Sequence, residues 1–364
     1  MNMSGDENFS GRIKCLDGWR ALSIFLVVFS HSHIVSMAGD LGRSGGSYGV
    51  RFFFVISGFL ITLLMLKEIN LTGKISLKNF YIRRLLRIFP VYFAYIIVCL
   101  LLETSGVANK VTNSHQWLLN IIFLANYGEC TGPTGVLWSL GVEEQFYLIW
   151  PLLFVRFNLM NKKVLPVLLL ACAIIIAPVF RGLTITKKLD DWTILSHRFS
   201  FLHHMDMLAI GCLGAIIIWR NPKISSLFVT KWRLVLPLSI MLLTIPYAAR
   251  NIQGLGIETV FGPTMQAFGF LLLLVLSISY PSLIYFKPLQ YAPVVWLGTI
   301  SYSLYLWHSV FLTGRYFGDG ENLLIYIGFP VSLCVAALSY YFLELPIMGM
   351  RSRYRINKNK KDIT

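Results

Sequence analysis

The stretch LDGWRALSIFLVVFSHSH, residues 16–33, decides the class of this protein. It is an apolar run interrupted by charged residues near its start and by two histidines near its end. A membrane span needs about 20 mostly apolar residues. No small-residue cleavage site follows the run, so we interpret it as a retained first span over 17–37, not as a signal peptide.

The composition extends that interpretation to the whole chain. Of 364 residues, 56% are hydrophobic and only 13% are charged, whereas soluble domains carry roughly 25% charged residues. The chain is therefore predicted to be a polytopic membrane protein. Its net charge of +15 comes from 32 Lys and Arg against 17 Asp and Glu. That excess fits either nucleic-acid binding or the Lys and Arg bias of cytoplasmic loops.

Apolar runs long enough to span a membrane recur ten times, which predicts an all-α fold of about ten transmembrane helices. A further apolar stretch, 116–128, is too short to cross and is interpreted as an interfacial or re-entrant piece. In the second run, Ser57 and Gly58 predict close helix packing. The ten runs are 17–37, 48–66, 86–105, 137–157, 164–180, 203–219, 233–250, 257–279, 291–313 and 323–344.

The positive charges orient these spans. With both termini cytoplasmic, the inside segments hold 22 of the 32 Lys and Arg residues and the outside segments nine, as the positive-inside rule requires. The charge is then a topology signal, and no nucleic-acid partner is expected. We predict one transmembrane domain over 1–346 and a basic, disordered cytoplasmic tail over 347–364.

Ionisable residues inside spans are functional candidates because they are costly there. Arg20 and His31 are eleven residues apart in the first span, so they share a helix face about 16 Å apart. The alternative is that Arg20 anchors the cytoplasmic flank and His31 is a core histidine. In the fourth span, the adjacent carboxylates Glu143 and Glu144 favour a polar cavity.

Three further clusters carry polar residues at membrane depth or at its edge. Arg83, Arg84 and Arg87 lie at the cytoplasmic edge of the third span and suit either phosphate binding or ordinary positive-inside charge. In the ninth span, Tyr302, Tyr305 and His308 form a stripe at steps of three, which an interfacial aromatic belt only partly explains. The sixth span opens on FLHHMD, 201–206, which is either interfacial or functional; with no further ligand nearby, no metal is expected there.

These segments together resemble the acyltransferase-3 family of integral membrane acyltransferases over about residues 14–346. The resemblance lies in an Arg and a His separated by ten residues, met by Arg20 and His31, and in the RxxR motif, met by Arg84 and Arg87. The segments FFVISGFLIT, LWSLGVEEQFYLIWP and SYSLYLWH also match, in family order.

The resemblance implies an acyl-CoA-dependent O-acetyltransferase in the bacterial inner membrane. It would move an acyl group, usually acetyl, from cytoplasmic acyl-CoA to a hydroxyl of an extracytoplasmic carbohydrate or lipid-linked oligosaccharide. O-antigen, exopolysaccharide and peptidoglycan are the acceptor classes implied. Acetyl-CoA is a co-substrate, membrane lipid is the surrounding partner, and no bound cofactor is expected.

A mechanism follows as a hypothesis. Arg20, Arg84 and Arg87 bind the CoA phosphates at the cytoplasmic side, and the pantetheine arm runs toward His31. His31 acts as general base or as nucleophile, and Glu143 orients a histidine. On the acceptor side, the site is completed by Tyr305 and His308. The alternative function is a membrane transporter of a glycan or anionic solute, since intramembrane His, Arg and Glu also serve as proton relays.

Overall fold

The computed structural model describes residues 13–32, 35–186, 197–249, 257–312, 324–350 and Tyr354. Within those ranges the regular elements are helices and no strand occurs, which confirms the all-α prediction. The α-helices are α1 Lys14–His31, α2 Val35–Thr72, α3 Leu77–Thr104, α4 Ser114–Ile121, α5 Leu137–Arg156, α6 Leu165–Ile185, α7 Phe201–Arg220, α8 Lys223–Thr230, α9 Trp232–Ala248, α10 Ile257–Val260, α11 Gly262–Ser279, α12 Ala292–Thr299, α13 Ser301–Leu312, α14 Leu324–Ser339 and α15 Leu345–Gly349. A π-helical turn, Tyr340–Glu344, joins the last two.

Each predicted apolar run falls on helix, but not always on one helix. The run 291–313 is divided at Ile300 into α12 and α13. The run 257–279 is divided into α10 and α11, and 323–344 continues through the π-helical turn. The short stretch 116–128 contains only the eight-residue α4 and a 3₁₀ turn, so it is no span by length.

The predicted count of ten spans is not confirmed by helix length and hydropathy. Among the described residues, six helices are long and apolar enough to cross a membrane, and a seventh span results if α8 and α9, bent by 87°, count as one. The helices that fall short are the polar or short ones. Helix α1 contains three charged residues, the polar run Glu143–Gln145 lowers the hydropathy of α5, and α13 has only 12 residues.

Contacts within the chain define two compact units. The first comprises Met1–Ser23, Tyr48–Leu66 and Leu153–Thr299. The second comprises Ile24–Ser47, Lys67–Leu152 and Ile300–Thr364. The predicted single domain over 1–346 stays a prediction. Helix α15 continues past that boundary to Gly349, and the predicted disordered tail otherwise lies outside the described residues except for Met350 and Tyr354.

In the first unit, α11 packs against α9 and α7, and α6 packs against α7. Helices α2 and α7 approach so closely that a Cβ atom at Gly58 would meet the backbone carbonyl of Leu208. A Cβ at Gly211 would likewise meet the carbonyl of Val55. This geometry confirms that Gly58 serves close helix packing, because only glycine lets the two backbones touch here.

In the second unit, α13 packs against α14 and α3. The Tyr302 hydroxyl donates to the backbone carbonyl of Ile88 on α3 at 2.9 Å. Ser303 donates to the carboxylate of Glu344 at 3.0 Å. These bonds hold α13 between two partners, so the remaining polar side chains of α13 have a fixed setting.

Candidate active site

His31 is the last residue of α1 and has an exposed side chain. Its Nδ1 lies 2.8 Å from the backbone carbonyl oxygen of Val27, one turn back. A carbonyl can only accept, so Nδ1 carries the hydrogen, and in the neutral ring the Nε2 lone pair is free to act as a base. The ring is therefore held at one edge and accessible at the other.

His308 lies edge-on to His31, with the two ring centroids 5.1 Å apart. It is fully buried on α13, and its Nδ1 lies 3.2 Å from the carbonyl oxygen of Leu304. Its Nε2 is buried and has no hydrogen-bond partner among the described residues. A buried polar atom without a partner is costly and calls for an explanation such as a ligand or water. The two predicted site histidines thus meet, although 277 residues separate them.

Tyr305 completes this group. Its ring centroid lies 5.7 Å from that of His308. Its hydroxyl donates to the backbone carbonyl of Val136 at 2.9 Å and lies 2.5 Å from the Ser139 hydroxyl oxygen. The start of α5 thereby fixes Tyr305 beside the histidine pair. Ser139 is a member of this site that the sequence alone does not single out.

Glu143 and Arg84 come together around a single tyrosine. The Tyr147 hydroxyl donates to Glu143 Oε2 at 3.3 Å, and the Arg84 guanidinium carbon lies 5.1 Å from the centroid of the Tyr147 ring. The hypothesis gave them separate parts, with Arg84 binding the CoA phosphates at the cytoplasmic side and Glu143 orienting a histidine. In the structure, Tyr147 connects these two parts, because it lies one helical turn after Glu143 on α5 and faces α3.

The arginines at the start of α3 differ in what they contact. Arg83 forms an ion pair with Glu68 at 2.7 Å and donates to the Tyr354 carbonyl at 2.9 Å. Arg84 and Arg87 are three residues apart and so share a helix face, where like charges repel. Neither forms an ion pair with a described carboxylate within 4.0 Å. Arg83 is thus engaged by Glu68, whereas no described carboxylate lies within ion-pair distance of Arg84 or Arg87.

Arg20 lies half-buried on α1 within the first unit. Its part in donor binding stays a prediction. The roles of the other site residues also stay predictions, although the structure brings several of them together.

A cluster of amide side chains adjoins the site through Gln145 and was not predicted. Gln145 Nε2 donates to Asn126 Oδ1 at 2.8 Å, and the Tyr127 hydroxyl donates to Gln145 Oε1 at 3.3 Å. Gln116 Nε2 donates to Asn120 Oδ1 at 2.8 Å. The signal available in the sequence was the presence of three amide residues in the otherwise apolar stretch 116–128.

His203 and Asp206 of FLHHMD belong to a different network of polar contacts in the first unit. Asp206 is fully buried and pairs with Arg181 at 2.7 Å. His203 is 3% exposed, and its ring nitrogens contact Ser200 and Thr184 at 2.6 and 2.9 Å. His203 and Asp206 are thus buried within the protein, and the choice between an interfacial and a functional role stays a prediction. Among the described residues, no group of three or more His, Cys, Asp or Glu is arranged to hold a metal.

Arg181 corrects the charge count as well. The topology argument assigned it to an outside loop, but it is 6% exposed within α6. Its guanidinium also donates to the carbonyls of Val260 and His203, both at 2.8 Å. It is a buried structural cation and carries no topology signal.

Comparison with known proteins identifies the family of this chain. The family model Acyl_transf_3, described as an acyltransferase domain, matches residues 13–341. The chain belongs to the acyltransferase-3 family. Together with the apolar helices, this membership identifies the acyltransferase-3 chain as a multi-pass membrane protein.

Among curated relatives, the acyltransferase-3 chain is 27% identical to the peptidoglycan O-acetyltransferase OatA of Listeria monocytogenes, over 92% of this chain and 56% of the relative. It is 29% identical to the O-acetyltransferase OatA of Staphylococcus aureus NCTC 8325, over 91% of this chain and 56% of the relative. The chain thus spans little more than half the length of these relatives. No solved structure matches it.

Proposed function

We propose that this chain is an O-acetyltransferase that moves an acetyl group from cytoplasmic acetyl-CoA to a hydroxyl of a cell-surface carbohydrate. The observation that carries the proposal is the family match over residues 13–341, with relatives that are named O-acetyltransferases. The meeting of His31, His308 and Tyr305 in one unit supports it, because acyl transfer to a hydroxyl needs a placed base.

The donor is acetyl-CoA, whose phosphates are anionic. Guanidinium groups bind phosphate with paired, charge-assisted hydrogen bonds. Arg84 and Arg87 share a helix face and form no ion pair with a described carboxylate, so they suit this role. Arg20 is proposed as the third phosphate ligand, on the strength of the family motif that it shares with His31.

His31 is proposed to act through Nε2. Its Nδ1 is engaged with the Val27 carbonyl, which leaves Nε2 as the basic atom of the neutral ring. In direct transfer, Nε2 takes the proton of the acceptor hydroxyl while the hydroxyl oxygen bonds to the thioester carbonyl carbon. The carbon–sulfur bond then breaks, and the CoA thiolate recovers the proton from His31. An acyl-histidine route would use the same atom as nucleophile.

The neighbouring groups are proposed to position the acceptor. His308 presents a buried Nε2 that can accept a hydrogen bond from a sugar hydroxyl. Tyr305 lies beside His308 and is held in place by its contacts with Ser139 and the Val136 carbonyl. Glu143, which accepts a hydrogen bond from Tyr147, is proposed to stabilise positive charge that develops in the site during transfer. The carbohydrate would be extracytoplasmic and the enzyme would lie in the bacterial inner membrane.

A test compares His31→Ala with His115→Ala, a control histidine on the exposed face of α4. Membranes carrying each variant receive acetyl-labelled acetyl-CoA, and ester-linked label in the envelope glycan is measured. Loss of a general base typically costs about 10²–10⁴-fold in rate, so His31→Ala should fall to background while His115→Ala matches wild type. Normal transfer by folded His31→Ala would refute the assignment.

A further inference from the structure

The first unit contains an arginine within a membrane span that the mechanism above does not use. Arg51 lies on α2, six residues into the candidate span Gly45–Thr72, or about 9 Å along the helix axis. Ionisable side chains at such depth are costly and mark functional sites by default. Its side chain is half-buried.

The contacts of Arg51 leave most of its donors unused. One guanidinium nitrogen, Nη1, donates to Gln266 Oε1, and the guanidinium carbon lies 5.8 Å from the ring centroid of Tyr48. Both partners are neutral. A guanidinium carries five N–H donors in a rigid fork, and only one of them is engaged by a described residue.

No described carboxylate lies within ion-pair distance of Arg51, that is, within 4.0 Å. Asp206 and Glu258 act on its charge only from farther away. Asp206 is also already satisfied. Its Oδ2 accepts from Arg181 at 2.7 Å and from Thr264 at 2.5 Å, and its Oδ1 lies 3.4 Å from a second nitrogen of Arg181.

From these contacts we propose that Arg51 and the Gln266 amide bind an anionic group, a carboxylate or phosphate, on an extracytoplasmic ligand. Two oxygens of a carboxylate or of a phosphate match the free fork of the guanidinium, and the amide nitrogen of Gln266 supplies a neutral donor beside it. The side of the membrane follows from the predicted topology, which places Arg51 at the outer end of its span.

The proposal deepens the proposed function and rests on it only for the identity of the ligand. The anion would be carried either by an acidic acceptor glycan or by a phosphate-bearing lipid. Arg51 would then select acidic over neutral acceptors without touching the reacting atoms. Binding is measured without acetyl-CoA, so failure of the binding result and failure of acetyl transfer are separate outcomes.

The experiment measures thermal unfolding of the purified full chain in a neutral detergent with four probes. Glucuronate is compared with glucose, and phosphatidylglycerol with phosphatidylcholine. We expect one of the two anionic probes, glucuronate or phosphatidylglycerol, to raise the unfolding midpoint. The corresponding neutral probe should leave the midpoint unchanged. A glucuronate response assigns a glycan carboxylate, and a phosphatidylglycerol response assigns a lipid phosphate.

Two variants make the result specific. Arg51→Gln should weaken binding of the effective anion about tenfold or more, since hydrogen bonds to charged groups are lost. Gln266→Glu should also weaken binding of the anion, because it gives Arg51 an internal carboxylate. The chain should stay folded with this substitution. Arg198→Gln removes another cation of the first unit, stacked on Phe199, and should leave binding unchanged. Equal responses to charged and neutral probes, or wild-type anion binding in Gln266→Glu, would overturn the proposal.

Discussion

Two buried histidines in apolar helices show how differently similar polar residues are used. His203 of the first unit has both ring nitrogens in contact with hydroxyl groups, those of Ser200 and Thr184. His308 of the second unit has one nitrogen on a backbone carbonyl, and the other has no partner among the described residues. Both side chains are at least 97% buried. The completed hydrogen bonds of His203 are typical of a structural role, whereas the unpartnered Nε2 of His308 beside His31 supports its proposed place in the active site.

The carboxylates of the two units follow the same division. Asp206 is enclosed by Arg181 and Thr264. Glu143 is half-buried and contacts Tyr147, which also lies under Arg84. A carboxylate paired with a buried arginine stabilises a fold, whereas one in a half-open group of polar side chains remains available for chemistry.

The largest expected effect tests the structural side of this comparison. Arg181→Met should lower the free energy of unfolding by about 3–5 kcal/mol, because it leaves the Asp206 charge buried without its partner. Denaturant titration of the purified chain in detergent measures this loss. The double variant Arg181→Met with Asp206→Leu should recover most of it, since both charges are then removed. A single variant as stable as wild type would show that the pair is not structural.

The second effect tests the histidines against each other. His308→Asn should reduce acetyl transfer about tenfold to hundredfold, less than loss of a direct base, with little change in unfolding midpoint. His203→Asn should destabilise the chain by about 1–3 kcal/mol but leave transfer per folded molecule unchanged. Transfer and unfolding are measured on the same preparations. If both variants affect the same quantity, the division between the units fails.

The third effect concerns the arginines at the start of α3. Arg84→Ala and Arg87→Ala should each raise the dissociation constant of acetyl-CoA about tenfold or more, because a hydrogen bond to a charged group contributes about 1.5–3 kcal/mol. Arg83→Ala is the matched control, since Arg83 is engaged by Glu68. Equilibrium binding of labelled acetyl-CoA distinguishes them. Equal weakening in all three variants would mean that general positive charge, not this pair, binds the donor.

The smallest effect concerns Tyr305. Tyr305→Phe removes the hydroxyl that contacts Val136 and Ser139, and a buried hydrogen bond contributes about 1 kcal/mol. We expect transfer to fall about fivefold while acetyl-CoA binding stays unchanged. Steady-state rates at saturating donor measure it. A loss as large as that of His31→Ala would give Tyr305 a direct catalytic part.

The long helices could be predicted from the sequence because each covers most of an apolar run, although α2 and α3 begin 13 and 9 residues before the predicted runs 48–66 and 86–105. The break at Ile300 could not, since residues 291–313 form one continuous apolar stretch. Tertiary packing constrains the residues next to this break, because a Cβ atom at Gly298 would meet the backbone carbonyl of Asp17. The count of ten spans is not confirmed by length and hydropathy for a related reason, because the polar residues of α1 and α5 lower the hydropathy of those helices.

The sequence singled out most of the residues that the structure brings together as candidates, but it did not predict their arrangement. His31 and His308 stood out because histidine is costly in an apolar helix. Their contact could not be read from spacing. Arg181 was misassigned because its partner Asp206 is 25 residues away, and short-range spacing rules reach only three or four residues. Ser139 carried no signal, since serine is common in spans.

The central claim is acetyl transfer from a cytoplasmic donor to a carbohydrate on the other side of the membrane. Inside-out vesicles from cells expressing the chain expose the cytoplasmic face, so acetyl-labelled acetyl-CoA can be supplied only there. We expect label to appear in the enclosed glycan as a base-labile ester and to be absent with His31→Ala. Enclosed glycan without ester-linked label, in vesicles whose protein is folded and binds acetyl-CoA, would contradict transfer across the membrane.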